Sequence, residues 1–167
     1  LENLSVLVEK NVPTNPSNFI SNNLKSKIKD VKADIRDEKK IFTLIKKYKP
    51  DYIFHLAAQS LVKKSYFHSR YTFETNSIGT LNILEITKKT SFVRSLVIVT
   101  SDKCYESNNS TKGFKEEDRL GGVDPYSASK SSMEIITRAY FKSFFEKKKN
   151  KIGISTLNSY RGSQIFE

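Results

Sequence analysis

The sequence has 167 residues, of which 37% are hydrophobic and 28% are charged, a composition typical of a single globular domain. Its formal net charge of +11, from 29 basic and 18 acidic residues, would suit a nucleic-acid partner if the charge were concentrated. The lysines are instead scattered, with their densest run at 147–151, so we interpret them as solvated surface residues and expect no nucleic-acid partner.

Cysteine and histidine are rare in the sequence. Cys104 is the only cysteine, which excludes an internal disulfide and fits a reducing, cytoplasmic location. His55 and His68 lie in different segments, and because no metal-ligand spacing occurs we expect no metal site. No stretch approaches the ~18 apolar residues of a membrane helix, so we expect no membrane association.

The first part of the sequence alternates strand and helix patterns. Residues 4–8 and 31–35 are short apolar runs rich in β-branched residues, and both are predicted strands. Glu9 follows the first strand, where an acidic group could bond a ribose hydroxyl; an exposed charge at a strand end is the alternative. Residues 38–48 have apolar side chains at helical spacing, and Pro50 stops that pattern.

The rest of the sequence continues the same alternation. Residues 52–56 are predicted to form a buried strand, in which His55 is a core histidine with its hydrogen bonds satisfied. The further predicted elements are a helix at 69–89, a strand at 96–99, a helix at 127–145 and a strand at 152–157. This order predicts parallel βαβ units in a doubly wound α/β sheet.

A tyrosine and a lysine lie one helical turn apart, after a strand that ends in polar residues. Tyr126 and Lys130 share a helix face, with Asp124 as candidate N-cap and Pro125 at the first helical position. An ammonium group lowers the pKa of a nearby phenol, so Tyr126 could take a proton from a sugar hydroxyl as hydride leaves the same carbon. That hydride needs a nicotinamide, and Ser101 could bond the same oxygen.

This interpretation has an ordinary alternative, because an i,i+4 tyrosine–lysine pair by itself is more often a surface contact. The context favours the chemical interpretation. The pair opens a helix that follows a polar strand end, which is where ligands of open α/β sheets bind.

The tyrosine–lysine pair with its upstream serine resembles the extended short-chain dehydrogenase/reductases. The longer strings at 55–62, 99–106 and 120–130 (HLAAQSLV, VTSDKCYE and LGGVDPYSASK) are more specific. They are similar to the nucleotide-sugar 4,6-dehydratases of the NAD-dependent epimerase/dehydratase family, in particular to those that act on CDP-glucose. The resemblance runs over nearly the whole chain.

The resemblance implies NAD as cofactor and assigns residues around it. Asp34 and Ile35 would contact the adenine, and Leu56 to Gln59 would line the dinucleotide; Ala57 and Ala58 are small enough to let it approach closely. Asn76 matches a position near the cofactor, although a buried asparagine that bonds the backbone is the alternative. The implied cofactor-binding residues are Asp34, Ile35, Leu56, Ala57, Ala58, Gln59, Asn76, Thr100, Tyr126 and Lys130.

The resemblance also implies a catalytic set, which consists of Ser101, Asp102, Lys103, Tyr126 and Lys130. Asp102 and Lys103 would act as acid and base in the loss of water from the sugar. Related dTDP-glucose enzymes have Asp-Glu at these two positions, and a lysine is a base only if its pKa is lowered. The alternative for Asp102 and Lys103 is a charge pair in a loop.

The match to a dinucleotide-binding domain is incomplete. No glycine-rich phosphate loop occurs among the six glycines, so residues 1–167 are interpreted as a partial NAD-binding, Rossmann-like domain without its first β-strand, phosphate loop and first helix. The C-terminal nucleotide-sugar domain is also expected to be absent. The implied function is conversion of a nucleotide sugar, CDP-glucose above all, and the alternative is an inactive fragment that at most binds nucleotides weakly. The two long helices could pair in a homodimer.

Overall fold

A computed structural model of the protein describes residues 6–9, 18–106, 113–146 and 153–157. The strands are β1 (Val6–Glu9), β2 (Lys29–Lys32), β3 (Tyr52–His55), β4 (Ser95–Val99) and β5 (Gly153–Leu157). The helices are α1 (Asn18–Ser21), α2 (Glu38–Tyr48), α3 (Val62–Phe67), α4 (Ser69–Phe73), α5 (Gly79–Lys88) and α6 (Pro125–Tyr140). None of the described helices is both long and apolar enough to span a bilayer.

The described strands pair in parallel, as the alternation of strands and helices predicts. β1 pairs with β2, and β3, β4 and β5 form a second group in that order. Parallel neighbours need crossover connections: α5 lies in the connection from β3 to β4 and α6 in that from β4 to β5, whereas α2 links the two groups of strands. The carboxyl ends of β3 and β4 therefore lie side by side, with His55 paired to Ile98.

The core lies on one face of the β3–β4–β5 sheet. Along β4, Leu96 and Ile98 have no exposed surface, whereas their neighbours in the strand are half-buried, because alternate side chains point to opposite faces. The residues packed with them come mainly from α2, α5 and α6, namely Ile41, Ile83, Leu84, Ile86, Met133 and Phe145. Each fully buried Leu or Ile contributes about 2 kcal/mol through its removal from water.

The prediction that residues 52–56 form a buried strand is wrong for one face. Tyr52, Phe54 and Leu56 are 58%, 64% and 67% exposed. The opposite face carries Ile53, which packs against the core, and His55, which is 3% exposed and shares a 3.0 Å hydrogen bond with the Thr80 hydroxyl. A short apolar run does not tell which of its two faces a helix will cover.

Helix starts follow their sequence signals. The Asp37 carboxylate accepts a hydrogen bond from the Lys40 amide at the start of α2, and Asp124 caps α6 ahead of Pro125, as predicted. The predicted helix at 69–89 is continuous but contains a π-helical turn at Glu74–Ile78, and a second π-helical turn, Phe141–Phe145, follows α6. The sequence did not predict α3, which lacks a side-chain cap.

Candidate active site

The first turn of α6 is fixed by one carboxylate. Asp124 Oδ1 accepts hydrogen bonds from the amides of Tyr126 and Ser127 at 2.9 and 3.0 Å, and Oδ2 accepts from the Ser127 hydroxyl at 2.6 Å. Burial raises the pKa of Asp124, but these hydrogen bonds outweigh it and hold the pKa below its usual value. The carboxylate therefore stays charged at the positive end of the helix dipole, where it locks the tyrosine-bearing turn.

Gly122 lets the preceding loop approach that turn. A Cβ atom at Gly122 would lie 2.5 Å from the Ala128 amide nitrogen and equally close to the Ser127 backbone. Only a residue without a side chain fits there, so the glycine is a packing requirement of the α6 N-terminus.

Tyr126 is 8% exposed and lies close to Ser101. Burial raises the pKa of Tyr126, and the hydrogen bond with the Ser101 hydroxyl lowers it in part. The expectation that Lys130 lowers this pKa is wrong for this structure, in which burial outweighs every effect that favours the phenolate. At neutral pH the phenol keeps its proton and can donate a hydrogen bond.

Lys130 is a buried ammonium group held at the end of β4. It is 3% exposed, and its Nζ donates a 3.2 Å hydrogen bond to the Val99 carbonyl oxygen. Burial lowers the pKa of Lys130 to about 8, while electrostatic interactions with Cys104 and Glu134 act in the opposite direction. The side chain is thus mostly protonated at pH 7, in a position where its charge is little screened.

The polar segment after β4 forms a compact 3₁₀ turn. The Ser101 hydroxyl donates to Asp102 Oδ1 at 3.0 Å and accepts from the Lys103 amide at 3.3 Å. Ser101 is buried, whereas the side chains of Asp102 and Lys103 are exposed. Two charged groups that face solvent can therefore reach a bound molecule from the same turn that holds the serine.

Asn76 in the π-helical turn joins two parts of the site. Its Oδ1 accepts from the Gln59 amide at 2.7 Å, and its Nδ2 donates to the Gln59 carbonyl at 3.1 Å and to the Ser129 hydroxyl at 2.8 Å. Ser129 donates in turn to the Tyr126 carbonyl at 2.7 Å. Asn76 has no exposed surface, so the alternative of a buried asparagine that bonds the backbone describes it correctly. π-Helical turns occur frequently at functional sites.

The predicted adenine contacts, Asp34 and Ile35, follow β2 and are anchored to α5. The Ile35 carbonyl accepts a hydrogen bond from Asn82 Nδ2 at 3.0 Å, and a Cβ at Gly79 would lie 2.8 Å from the Ile35 side chain. The Asp34 carboxylate accepts from the Arg36 amide at 3.0 Å and from its guanidinium at 2.9 Å. Arg36, which sequence reasoning missed, therefore orients this carboxylate.

The remaining predicted cofactor-binding residues differ in their exposure to solvent. Leu56 and Ala57 are exposed and Ala58 is half-buried, so the segment after β3 presents small and apolar surface at the carboxyl edge. Thr100, at the end of β4, is buried and bonded to Glu134, a second residue that sequence reasoning missed. The Glu9 side chain and residues 107–112 lie outside what the structure describes. Among the described residues, no cluster of His, Cys, Asp and Glu could hold a metal ion.

A parallel α/β sheet with a serine at a strand end, beside a tyrosine and lysine one turn apart on the next helix, defines the short-chain dehydrogenase/reductase class of Rossmann-type proteins. Residues 7–167 match the family model described as GDP-mannose 4,6 dehydratase. The chain belongs to that family.

The chain is also similar in sequence to individual nucleotide-sugar 4,6-dehydratases. The chain is 40% identical over 133 residues to the CDP-glucose 4,6-dehydratase of Salmonella typhimurium, which covers 80% of this chain and 37% of that protein. It is 32% identical over 123 residues to the dTDP-glucose 4,6-dehydratase of Haemophilus influenzae, over 68% of this chain and 36% of that protein. The chain thus spans little more than a third of the length of either relative.

Solved structures confirm the predicted Rossmann-like fold. The dTDP-glucose 4,6-dehydratase of Streptomyces venezuelae, crystallised with NAD, superposes with a TM-score of 0.76 at 25% identity, over 92% of this chain and 45% of that chain. The UDP-glucose 4-epimerase of Thermotoga maritima shares the fold with a TM-score of 0.74 at 23% identity, over 92% of this chain and 46% of that chain.

Proposed function

We propose that the chain is the NAD-binding part of a nucleotide-sugar 4,6-dehydratase that converts CDP-glucose to CDP-4-keto-6-deoxyglucose. The observation that carries the proposal is the contact between Ser101 and Tyr126 at the carboxyl end of β4, where the buried ammonium of Lys130 bonds the last carbonyl of the strand. The 40% identity to the Salmonella CDP-glucose enzyme supports the choice of nucleotide.

The residues at this edge of the sheet fit a dinucleotide. The Asp34 carboxylate can accept a hydrogen bond from an adenine amino group, and the Lys130 ammonium can donate to ribose hydroxyls. The small side chains of Ala57 and Ala58 leave room for close approach beside the buried Gln59. When bound, NAD would supply the chemistry of hydride removal from C4 of the sugar and of its return at C6.

In the oxidation step, the Ser101 hydroxyl bonds the 4-oxygen of the sugar and Tyr126 takes the proton of the 4-hydroxyl. A phenol whose pKa is raised by burial is a poor base, so the proton transfer needs the phenolate to be stabilised in the complex. The Ser101 hydroxyl, whose hydrogen bond lowers the Tyr126 pKa, is a group of the site that favours the phenolate.

In the elimination step, the 4-keto group acidifies the proton at C5, which a base must remove while the 6-hydroxyl leaves as water. Asp102 is assigned as the acid that protonates the departing hydroxyl, and Lys103 as the base that takes the C5 proton. Both side chains are exposed and follow Ser101 directly in the chain, which supports their acting on the same bound sugar as Ser101.

The first test is a calorimetric titration of this chain with NAD. Micromolar binding that is lost in Asp34→Ala would support a usable cofactor site, and the exposed Asp51→Ala variant is the matched control. If the chain is folded by circular dichroism and binds no NAD, it is the inactive alternative, and the cofactor part of the proposal is wrong.

Dehydratase activity is tested in a chimera, in which this chain replaces the matching 133 residues of the Salmonella relative. We expect water loss from CDP-glucose, detected by mass spectrometry, and its abolition in Tyr126→Phe. The exposed Tyr52 provides the control, since Tyr52→Phe removes a hydroxyl outside the site. A chimera that folds and binds NAD but converts no CDP-glucose would contradict the assignment, and conversion of dTDP-glucose instead would correct the nucleotide.

Two further parts of the proposal concern assembly and location. Exposed apolar residues on the two long helical segments, including Ile78 at 47% and Ile135 at 55% exposure, support a homodimer that packs these segments together. Light scattering of the purified protein tests this, and a monomeric mass would contradict it.

A cytoplasmic location, expected from the single reduced Cys104, stays a prediction that fractionation of the source cells can check.

A further inference from the structure

Glu134 lies one turn beyond Lys130 on α6, so that the two side chains share a helix face. Glu134 Oε1 accepts a 2.5 Å hydrogen bond from the hydroxyl of Thr100, a residue that is 5% exposed. A hydrogen bond from a hydroxyl to a carboxylate is charge-assisted. Glu134 therefore ties α6 to the end of β4.

In the neighbouring hydrogen bond the donor lies on α6 and the acceptor lies on β4. Lys130 donates to the carbonyl of Val99, so two successive residues of the strand end are bonded to two successive turns of α6. The next residue along the chain is Ser101, whose hydroxyl contacts Tyr126. The separation between the serine and the tyrosine–lysine pair thus depends on a two-point attachment of β4 to α6.

Glu134 also acts through its charge. Its carboxylate raises the pKa of Lys130, against the effect of burial, and raises the pKa of the buried Cys104 thiol. The titratable groups that face Lys130 from other elements are His55 of β3, whose pKa the lysine lowers, and Cys104 after β4. Among these groups, Glu134 is the carboxylate that favours the ammonium form.

We propose that Glu134 is a positioning residue, which through Thr100 fixes the end of β4 against α6 and whose negative charge acts on Lys130 from the same helix face. Sequence motifs of the site end at Lys130, and nothing in the spacing of Glu134 alone distinguishes it from a surface glutamate. The consequence of Glu134 for catalysis rests on the proposed function. The effect of Glu134 on the position of β4 and on the charge of Lys130 does not.

The positional part is tested by hydrogen–deuterium exchange of the 3₁₀ turn, at the amides of Lys103 and Tyr105. In Glu134→Ala we expect roughly tenfold faster exchange, the ratio that corresponds to loss of a hydrogen bond to a charged group. Glu134→Gln keeps an oxygen acceptor for Thr100 and should exchange at nearly the wild-type rate. Glu117→Ala, which removes the same charge at an exposed site, should have no effect.

The charge part is tested by NMR titration of ¹³C-labelled lysine, with the Lys130 signal assigned from its disappearance in Lys130→Met. Glu134→Gln should lower the Lys130 midpoint further below the wild-type value, although its exchange rates stay near those of wild type. A merely structural glutamate would move exchange but would leave this midpoint unchanged in the glutamine variant.

If the alanine variant fails to fold, Thr100→Val replaces it, because valine lacks the hydroxyl that donates to Glu134. Wild-type exchange in both Glu134→Ala and Thr100→Val, or an unchanged Lys130 midpoint in Glu134→Gln, would overturn the inference. Both measurements are made without substrate or NAD. An inactive chimera whose Glu134 variants still show these effects would therefore contradict the proposed function alone.

Discussion

Gly122 and Ala128 approach each other so closely that a Cβ atom on the glycine would lie 2.5 Å from the alanine amide nitrogen. This contact joins the loop after the 3₁₀ turn to the first turn of α6, which carries Tyr126. Backbone cannot move aside as a flexible side chain can, so the loop must shift if any side chain is added at Gly122.

The first prediction follows from that contact. Gly122→Ala should lower the free energy of unfolding by about 1–3 kcal/mol, the usual cost of overpacking. Gly121→Ala is the matched control, because its Cβ would meet the Glu106 side chain at an ordinary 3.4 Å. Urea denaturation followed by circular dichroism measures both variants, and equal midpoints for the two would show that the close approach is not rigid.

The second prediction concerns pH. Burial, and to a smaller extent Lys130, lower the pKa of His55 from 6.5 to about 4. Below pH 6.5 His55 therefore binds a proton in the unfolded chain but not in the folded chain. The free energy of unfolding has its full value above pH 6.5 and falls as the pH drops toward 4. Between pH 6.5 and 5 the loss should be about 2 kcal/mol.

Urea denaturation at several pH values checks this dependence. His55→Gln, which cannot take up the proton, should flatten the profile in that window, while His68→Gln at an exposed position should keep the wild-type slope. The carboxylates whose pKa is lowered, including Glu74 and Glu85, lose their contributions only below about pH 4.5, the usual pKa of a glutamate side chain. A steep profile that persists in His55→Gln would show that another group dominates.

The sequence predicts those parts of the fold that local signals determine. The helix at Glu38–Tyr48 has the predicted bounds, because a capping aspartate precedes it and Pro50 follows it closely. The predicted strands occur with ends shifted by at most three residues, and the polar strand end at Ser101 does lie beside Tyr126. Each of these inferences depends on neighbours in the chain.

Other features depend on contacts that the chain makes only after folding. Glu134 and its partner Thr100 are 34 residues apart in the sequence, and Asn76 and Ser129 are 53 apart. No local sequence pattern therefore predicts either pair. The predicted direction of the Tyr126 pKa shift is wrong for a similar reason. Spacing suggests that Lys130 controls it, but the degree of burial, which sequence does not give, has the larger effect.

The third prediction concerns the lone cysteine. Cys104 has no exposed surface, and burial, aided by the charge of Glu134, raises its pKa to about 12. Because the thiolate is the reactive form, the folded protein should resist iodoacetamide at pH 8, and the urea-unfolded chain should react readily. Mass spectrometry counts the single label without ambiguity. Labelling of the folded chain at the unfolded rate would show that the segment after β4 opens freely.

The fourth prediction concerns the amide network that joins the two halves of the site. Asn76→Leu keeps the approximate volume of the side chain but leaves the Gln59 amide and carbonyl and the Ser129 hydroxyl without their partner. Unpaired buried polar groups each cost ~1–3 kcal/mol, so the free energy of unfolding should fall by at least about 2 kcal/mol.

A double-mutant cycle with Ser129→Ala separates the two sides of this network. Ser129 contacts Asn76 directly, so the pair should show a coupling energy of roughly 0.5–1.5 kcal/mol in urea denaturation. Thr43→Ala serves as the distant partner in a control cycle, since Thr43 is exposed on α2 and bonds only the Lys39 carbonyl among the contacts described for it. Additive effects of Asn76→Leu and Ser129→Ala would mean that the hydrogen bond between Asn76 and Ser129 does not contribute to holding α6 against the π-helical turn.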